Sequence, residues 1–521
     1  MDLFNQFSQS VLSSLIFCPL VGALLVSLLP RKVSREGAFV VAAINLVFAL
    51  HLIFHWNDVT SVTSRFHFSE TAVWLPQLGV HYHLGVDGIS VGLVLLTAFL
   101  SPLVILSSWK VVQRTKEFMV CLLLLEAAAI GVFCALDVIL FYIFFEAVLV
   151  PSLLLIGIWG GAERAYASVK FFVYTMAGSV LMWVAMLYVY FQQPLSTRSF
   201  DLAPFTEAAN KLDGSSSAAT LLFGAFALAF AIKAAMFPLH TWLPDAYPEA
   251  PTAGTVMLAA VLSKMGIYGF LRFAIPLFPQ TARDFAPLMM ALAIVGIIYG
   301  GFVAISQTDI KRVVAYSSIS HLGLILLGVF AALGANKYAD LAITGATIQM
   351  ITHGLSTGAL FLLLGVLTDR VPNREMGAYG GLAGVMPRFT TLFWIALFAS
   401  IGLPGLSGFI GEYLIFQGVM AANFWSAVLA TTTVIFGAIY MLRLFRNTMY
   451  GEVQRSENRS LPDINAREFF AIVAILAVIV WIGVAPQGLI DMIGPDAKNV
   501  AISEQNPTPN TLAKLDSADA R

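Results

Sequence analysis

The chain has 521 residues, of which 59% are apolar and 11% are charged, and its formal net charge at pH 7 is −1. Soluble domains carry roughly 25% charged residues, so this composition excludes a large soluble domain and indicates a protein that crosses a membrane many times. The balanced charge leaves no basic face for nucleic acid. Three cysteines, Cys18, Cys121 and Cys134, lie singly in apolar runs, so neither an iron–sulfur cluster nor a zinc site is predicted.

Fourteen apolar segments are long enough to span a membrane, and charged residues, Pro or Gly bound each of them. The predicted spans are residues 11–29, 37–56, 88–109, 118–136, 138–159, 168–191, 218–247, 252–275, 285–306, 313–333, 340–368, 388–420, 424–446 and 468–490. The seventh and the twelfth are interrupted by Pro and Gly. We therefore predict an all-α polytopic membrane protein with two broken helices.

The connections between the spans are short, with two exceptions. Residues 57–87 and 192–217 are expected to be surface loops, the second of them mobile, and the tail from Ser503 is expected to be disordered. The first span follows no basic segment and precedes no small-residue cleavage site, so we expect it to be a retained helix.

The basic residues predict the orientation. Alternate connections, beginning with Arg31, Lys32 and Arg35, hold 18 Lys and Arg residues, and the other set, with the tail, holds nine. The positive-inside rule places the richer set in the cytoplasm, and with 14 spans both termini then lie on the periplasmic side of a bacterial inner membrane. The connection at Pro248 has no Lys or Arg, so the rule is silent there.

Seven ionisable side chains fall near the middles of the predicted spans: Glu126, Glu146, Lys233, Lys264, His321, His353 and Glu412. A charge at the bilayer centre costs ~2.5–3.5 kcal/mol on insertion scales, so these groups are expected to face each other or water. If the first broken helix resumes at Pro238 and runs to Tyr247, then Lys233 lies about 22 Å, and Lys264 about 18 Å, from the Pro-rich turn. Both amines would then lie near mid-membrane. Glu146 is the expected charge partner of Lys233.

Structural roles are the alternatives for these groups. A buried Glu can join two helices by a hydrogen bond, and this stays open for Glu126. A structural ion pair is the alternative for Glu146 with Lys233, although desolvation largely cancels the attraction in such pairs. His321 and His353 could be satisfied by neighbouring hydroxyls instead of serving as proton relays.

The two broken helices occupy corresponding places in the chain. Pro404 and its flanking glycines interrupt the second one about two turns before Glu412. Interrupted helices in corresponding places indicate an inverted-repeat transporter with sites near the midplane. We predict an N-terminal three-helix segment, a first five-helix repeat, a second inverted five-helix repeat, and a C-terminal region with a cytoplasmic loop, one helix and a polar tail. Their bounds are residues 1–117, 118–275, 285–446 and 447–521.

The segment Ile232-Lys-Ala-Ala-Met-Phe-Pro-Leu-His-Thr-Trp-Leu-Pro-Asp-Ala-Tyr-Pro-Glu-Ala-Pro-Thr resembles the signature of antiporter-like subunits. These subunits occur in respiratory complex I, in Mrp-type cation/proton antiporters and in membrane-bound hydrogenases. The resemblance covers the fourth to thirteenth spans. Leu84-Gly-Val-Asp-Gly-Ile-Ser and Gly405-Leu-Ser-Gly-Phe-Ile-Gly-Glu extend it and favour complex I. Tyr247 replaces a histidine that is common in the motif.

The resemblance implies roles for the buried groups. Glu146 would be the charge partner, Lys233 the switched proton carrier, Lys264 and His353 the central relay, and Glu412 the terminal group. His321 and His240 are further candidates for the path. Glu412 stands where the sister subunits L and N are expected to carry a lysine, and the chain stops soon after its last span, without the long lateral helix of subunit L.

The resemblance also implies the function. The chain would be a proton-translocating membrane-arm subunit of NADH:quinone oxidoreductase, driven by quinone reduction elsewhere. It would hold no cofactor or metal itself, and NADH, FMN, iron–sulfur clusters and quinone would belong to partner subunits. The expected partners are other membrane subunits, with antiporter-like L and N chains on either side, and the lipid bilayer. An Mrp-type antiporter subunit and a scaffold without transport activity remain as alternatives.

Overall fold

A computed structural model describes residues 8, 10–57, 65–334 and 337–505 of the chain. The described part is almost entirely helical, with one two-stranded sheet. In chain order its elements are α1 (Val11–Leu28), α2 (Ser34–Phe54), β1 (His67–Leu75), β2 (Val80–Val86), α3 (Gly88–Ser107), α4 (Thr115–Cys134), α5 (Val138–Ala147), α6 (Leu149–Trp159), α7 (Arg164–Gln192), α8 (Leu202–Asn210), α9 (Ser217–Lys233), α10 (Leu243–Glu249), α11 (Thr252–Met257), α12 (Ser263–Gly269), α13 (Ile275–Leu277), α14 (Pro279–Ser306), α15 (Ile310–Ala331), α16 (Ala339–Arg370), α17 (Leu382–Val385), α18 (Pro387–Ile401), α19 (Ser407–Ala422), α20 (Phe424–Ala430), α21 (Thr432–Met449), α22 (Ala466–Val484) and α23 (Gln487–Gln505).

The spans agree with the prediction. Twelve helices of the described part are long and apolar enough to cross a membrane, where α5 with α6, α11 to α13, and α20 with α21 each count as one. Two shorter apolar helices, α9 and α18, begin the segments predicted to be broken. With those two segments, all fourteen predicted spans correspond to helices of the structure, and the all-α polytopic fold is confirmed.

Three expectations about the connections and the C-terminal end were wrong. Residues 67–86 form an antiparallel hairpin of β1 and β2 instead of a loop. The second supposed loop contains α8, a helix too short to register as a span, with Pro204 in its first turn. The polar helix α23 follows the last span, and it runs through Ser503 to Gln505, where disorder was expected. The rest of that tail lies outside the described residues.

The hairpin is tied to the first span by a buried carboxylate. Glu70 of β1 accepts hydrogen bonds from the backbone N–H of Leu12 at 2.7 Å and of Ser13 at 3.1 Å. These are N–H groups of the first turn of α1, which have no partner inside the helix. The side chain of Ser10, the N-cap residue of α1, makes no capping hydrogen bond to these N–H groups. A residue almost 60 positions away therefore caps the helix.

Ion pairs divide the connections into two faces of the molecule, as the distribution of basic residues predicts. On one, here called the basic face, Asp245 pairs with Lys170 at 2.7 Å and with Arg312 at 3.4 Å. Arg374 pairs with Glu249 there at 2.9 Å. These contacts also assign the connection at Pro248, where the sequence is silent, to the basic face. The other, here called the hairpin face, carries β1, β2 and α8.

A buried charge cluster on the hairpin face joins distant parts of the chain. Arg272 pairs with Asp87 at 2.6 Å, and Asp87 also caps α3. Asp496 of α23 accepts a hydrogen bond from the Gly88 N–H at 2.8 Å and lies 3.6 Å from Arg65. Burial and the neighbouring Asp87 charge raise the pKa of Asp496 to about 6. Burial opposes ionisation of Asp87 as well, but Arg272 and Arg65 outweigh it and lower its pKa.

Candidate functional site

The first broken helix ends at a buried lysine. Lys233 is the last residue of α9, it is buried, and its ammonium lies 4.6 Å from the centre of the Phe145 ring. The Trp242 indole N–H donates to the freed carbonyl of Ile232 at 2.8 Å, so protein groups satisfy the broken backbone. The expectation that helix resumes at Pro238 was wrong, because α10 starts only at Leu243 and the break spans nine residues.

Glu146 is not in contact with Lys233. Its carboxylate oxygens are buried and have no hydrogen-bond partner among the described residues, and the Lys233 ammonium donates instead to the Phe145 carbonyl at 3.4 Å. Phe145, the residue before Glu146 in α5, is the one that contacts Lys233. Glu146 itself is half-buried, at the edge of the molecule.

The second lysine lies beside an irregular turn. The predicted eighth span is not a uniform α-helix, because Leu258–Leu262 and Phe270–Ala274 form π-helical turns on either side of α12. The first π turn widens the helix just before Lys264, so that the Ala259 carbonyl accepts a hydrogen bond from the lysine ammonium. The Ser263 hydroxyl is a second partner, at 3.2 Å. Single π turns are frequent at functional sites, and the residue pattern gave no signal of this one.

Four of the predicted residues form one continuous row inside the molecule. The Lys264 ammonium lies 2.9 Å from His353 Nδ1, and the rings of His353 and His321 are 5.4 Å apart between centroids. His321 Nδ1 lies 3.5 Å from Glu412 Oε1. Each of the four residues is at most 3% exposed. The row passes from α12 through α16 and α15 to α19, and the long polar stripe of α16 supplies Gln349, whose amide lies 3.5 Å from Glu412.

The second broken helix is built around the Glu412 carboxylate. α18 ends at Ile401, Gly402 follows with φ +83°, and α19 starts at Ser407. A Cβ atom at Gly402 would lie 2.4 Å from Glu412 Oε2, so the carboxylate rests directly on the backbone of the break. This close approach explains why a glycine stands there.

Besides Lys233 and Glu146, two more of the predicted residues lie apart from the row. Glu126 of α4 accepts a hydrogen bond from the Asn45 amide of α2 at 2.8 Å, which joins α4 to the N-terminal three-helix segment. His240 lies in the first break, with its ring 5.0 Å from that of Tyr299. No hydrogen bond among the described residues connects either of them, or Lys233, to Lys264.

Sequence reasoning missed three buried polar residues. Ser263 contacts Lys264, the Asn45 amide holds Glu126, and the hydroxyl of Tyr440 in α21 is buried without a hydrogen-bond partner among the described residues. A lone Asn or Tyr in an apolar span is a weak signal, but both carry polar atoms that a buried position must satisfy. That feature alone could have placed them among the candidates.

A polar cavity opens between the two halves of the molecule on the basic face. Its volume is about 560 Å³, and charged side chains of several connections line it: Lys110, Glu249, Lys311, Asp369, Arg374 and Glu468. Among the described residues, no group of three or more His, Cys, Asp or Glu side chains could hold a metal ion. The buried Lys, His and Glu side chains of the row can each accept and donate a proton, so the arrangement is suited to moving protons.

Two family models match the chain. The model described as NADH:quinone oxidoreductase/Mrp antiporter, TM, matches residues 135–437, and the one described as NADH-ubiquinone oxidoreductase chain 4, amino terminus, matches residues 12–131. Among curated proteins, NADH-quinone oxidoreductase subunit M of Rhodobacter capsulatus is 43% identical over 504 residues, covering 94% of this chain and 96% of that one. NADH-ubiquinone oxidoreductase chain 4 of Arabidopsis thaliana is 38% identical and covers 94% and 96%.

Solved structures share the fold. A chain of respiratory complex I from Thermus thermophilus, determined with bound NADH, is 32% identical, with a TM-score of 0.84 over 94% of this chain and 99% of that one. A chain of the Mrp complex from Dietzia has a TM-score of 0.81 over 96% and 98%, but at 19% identity it shows the fold alone.

The fold, the two broken helices and the buried row of ionisable side chains together define an antiporter-like membrane subunit. Within that class, the chain belongs to the family of NADH-quinone oxidoreductase subunit M, known as chain 4 in the plant relative. It is a multi-pass membrane protein of a respiratory complex.

Proposed function

We propose that the chain translocates protons as a membrane-arm subunit of NADH:quinone oxidoreductase. The observation that supports this best is the row Lys264, His353, His321 and Glu412 inside a membrane protein. The Lys264 ammonium lies 2.9 Å from His353 Nδ1, the two histidine ring centroids are 5.4 Å apart, and His321 Nδ1 lies 3.5 Å from the Glu412 carboxylate. A buried row of groups that both accept and donate protons is the arrangement that a proton relay requires.

Each buried group has a role in this proposal. Lys233 is the switched carrier and Glu146 is its charge partner, which acts through space in the described conformation and would approach the ammonium in another. Lys264 and His353 form the central relay, and Glu412 is the terminal group. His321 bridges the relay to Glu412, whereas His240 and Glu126 are accessory groups whose positions lie off the row.

The energy must come from outside the chain. Moving one charge against 100 mV costs about 2.3 kcal/mol, and the family relationship points to quinone reduction in other subunits as its source. We propose that NADH, FMN, iron–sulfur clusters and quinone are bound there, and that shifts of paired charges carry the energy along the membrane arm.

We further propose the arrangement in the complex. The L and N chains flank this subunit, the basic face lies in the cytoplasm, and both termini lie on the periplasmic side of the inner membrane. Residues 118–275 and 285–446 form the two inverted five-helix repeats, each with its broken helix in fourth place. The cavity on the basic face then gives cytoplasmic water access to the region between the repeats.

The test replaces Lys233 with Ala in the complete complex. We expect normal assembly, impaired proton pumping and, through coupling, slower NADH-driven quinone reduction. Lys211→Ala is the matched control, because that lysine is exposed and pairs with Glu207 on the surface of α8. Unchanged pumping in the Lys233→Ala complex would leave only the scaffold interpretation.

Deletion of the gene separates the proposal from the antiporter alternative. Loss of NADH-driven quinone reduction in membranes supports the proposal. Sodium sensitivity of growth with intact respiration would instead identify a subunit of a cation/proton antiporter.

A further inference from the structure

Arg374 joins three segments of the chain on the basic face. Its guanidinium donates to Glu249 Oε1 at 2.9 Å and to the Pro248 carbonyl at 2.7 Å, and its Nε lies 3.1 Å from Asp309 Oδ2. Pro248 and Glu249 are the last residues of α10, whereas Asp309 is the N-cap residue of α15. One side chain therefore connects the helix that follows the first break to the start of the helix that carries His321.

The two carboxylates that Arg374 contacts are themselves held in place. Glu249 Oε2 accepts a hydrogen bond from the Glu163 N–H at 2.9 Å, and the Glu249 carbonyl accepts one from the Gly161 N–H at 2.8 Å. Asp309 Oδ1 accepts hydrogen bonds from two N–H groups in the first turn of α15, at 2.8 and 3.1 Å. Both side chains are buried. The guanidinium therefore bridges fixed elements of the fold, not two mobile surface side chains.

Backbone contacts fix Arg374 to the helices of the row. The residue follows the end of α16, the helix that carries His353, by four positions. Its carbonyl accepts a hydrogen bond from the Ile310 N–H at 2.9 Å, and the Met376 N–H donates to the Thr308 carbonyl at 2.9 Å. The connection after α16 and the start of α15 thus form one unit, from which the Arg374 side chain reaches across to α10.

The elements on the other side of Arg374 carry the proposed switching pair. Lys233 ends α9, and after the break the chain continues into α10, which ends at Glu249. Glu249 also holds the connection that follows α6, and α6 belongs to the span that carries Glu146. A shift of either helix therefore reaches Glu249 and, through it, Arg374.

We propose that Arg374 is a positioning residue, which transmits a displacement of the first broken helix to the helices that carry His321 and His353. This inference rests on the proposed function, in which Lys233 at that break is the switched carrier. Hydrogen bonds, ion pairs and rigid helices carry such coupling between distant sites. Asp309 lies about 18 Å from His321 along α15, so Arg374 acts through the position of the helix and takes no part in proton transfer.

The shape of the guanidinium, more than its charge, suits it to this role. Arginine presents five N–H donors in a rigid planar fork, whereas lysine carries a point charge on a flexible stem. Arg374→Lys keeps a positive charge beside Glu249 and Asp309, but one ammonium does not hold two carboxylates and a carbonyl at fixed angles. An electrostatic role predicts that lysine restores activity, and a positioning role predicts that it does not.

The test measures turnover per assembled complex for Arg374→Lys in the complete complex reconstituted into vesicles. We expect normal assembly and NADH-driven proton uptake and quinone reduction that are about 10- to 100-fold slower, because a misplacement of about 1 Å far from the chemistry can cost about 10²-fold. The KM values for NADH and quinone should keep their parental values, since the proposed function places both sites in other subunits. If Arg374→Lys does not assemble, Glu249→Asp makes the same comparison, because it keeps the charge and shortens the reach by one CH₂ group, and it should show the same loss.

Arg370→Lys is the matched control. Arg370 lies on the same face, and its guanidinium likewise contacts a carboxylate and two carbonyls, those of Glu468 at 2.6 Å, Pro462 at 2.8 Å and Asp463 at 3.1 Å. None of these partners belongs to the first broken helix. Arg370→Lys should therefore retain the parental turnover per assembled complex.

A double-variant cycle separates positioning from a structural defect. If Arg374 transmits the displacement at Lys233, then Arg374→Lys should cause no further loss in a Lys233→Ala complex, whereas an independent structural defect would add to it. Additive losses, or equal turnover in Arg374→Lys and Arg370→Lys, would overturn the inference and leave the proposed function intact if Lys233→Ala is impaired. Unimpaired pumping in the Lys233→Ala complex would overturn both.

Discussion

Two glycines in the second helix break allow a direct test of the position of Glu412. Gly402 and Gly405 have φ angles of +83° and +90°, so Ala at either site carries a backbone strain of about 1–2 kcal/mol. Only the Cβ atom at Gly402 would meet the Glu412 carboxylate, at 2.4 Å, and nothing lies within 4 Å of the one at Gly405. Gly405→Ala is therefore a matched control for strain.

The structure sets the size of the expected effect. To restore an ordinary contact of about 3.5 Å, the carboxylate must move by about 1 Å in Gly402→Ala. Glu412 now lies 3.5 Å from His321, and proton transfer requires the two groups to approach to about 2.6–3.2 Å. A misplacement of about 1 Å can cost about 10²-fold, so we expect Gly402→Ala to slow proton pumping and quinone reduction by about 10- to 100-fold.

The assay is NADH-driven quinone reduction and proton uptake in vesicles, with the thermal stability of each complex measured alongside. Gly405→Ala should lose about as much stability as Gly402→Ala while its turnover stays near the parental value. Equal turnover in the two variants, whether high or low, would refute the reasoning, since it would show that the position of the carboxylate against the break does not matter.

Three further predictions concern the hairpin face. Glu70→Ala should remove the cap of α1 and cost about 1–2 kcal/mol, seen as faster hydrogen exchange in the first turn of that helix, whereas exchange elsewhere should not change. Asp87→Ala should cost about 3–5 kcal/mol and lower the yield of assembled complex, because it leaves the Arg272 charge buried and unpaired; a variant in which both are replaced by apolar residues should recover part of the loss. The pKa of Asp496 is raised to about 6 from an unfolded value of 3.8, so its contribution to the docking of α23 is complete below pH 3.8 and is lost as the pH rises through about 6. Hydrogen exchange in α23, corrected for the intrinsic rate, should therefore be slower at pH 5 than at pH 7.5. The Asp496→Asn variant should abolish that difference. Asp87 does not contribute to it, because its pKa is lowered and it titrates below this pH range.

Residue order and composition determined the spans, because a membrane requires about 20 apolar residues in each crossing helix and penalises charges within it. The same penalty made Lys233, Lys264, His353 and Glu412 visible as candidates without any structure. The distribution of basic residues divided the connections into two faces, and the ion pairs at Asp245 and Arg374 agree with that division.

Contacts between distant residues were decided only by the tertiary structure. The spacing of residues along the chain does not predict that His321 lies between His353 and Glu412. Nor does it predict that Glu146 and Lys233 make no contact. Both depend on the rotation and depth of each helix, which are set by packing against other helices. The π turn before Lys264 and the capping of α1 by Glu70 also depend on residues that are distant in the sequence or on packing between helices. An apolar pattern in the sequence predicts that a side chain is buried. It does not predict which residues pack against that side chain, because they come from elsewhere in the chain.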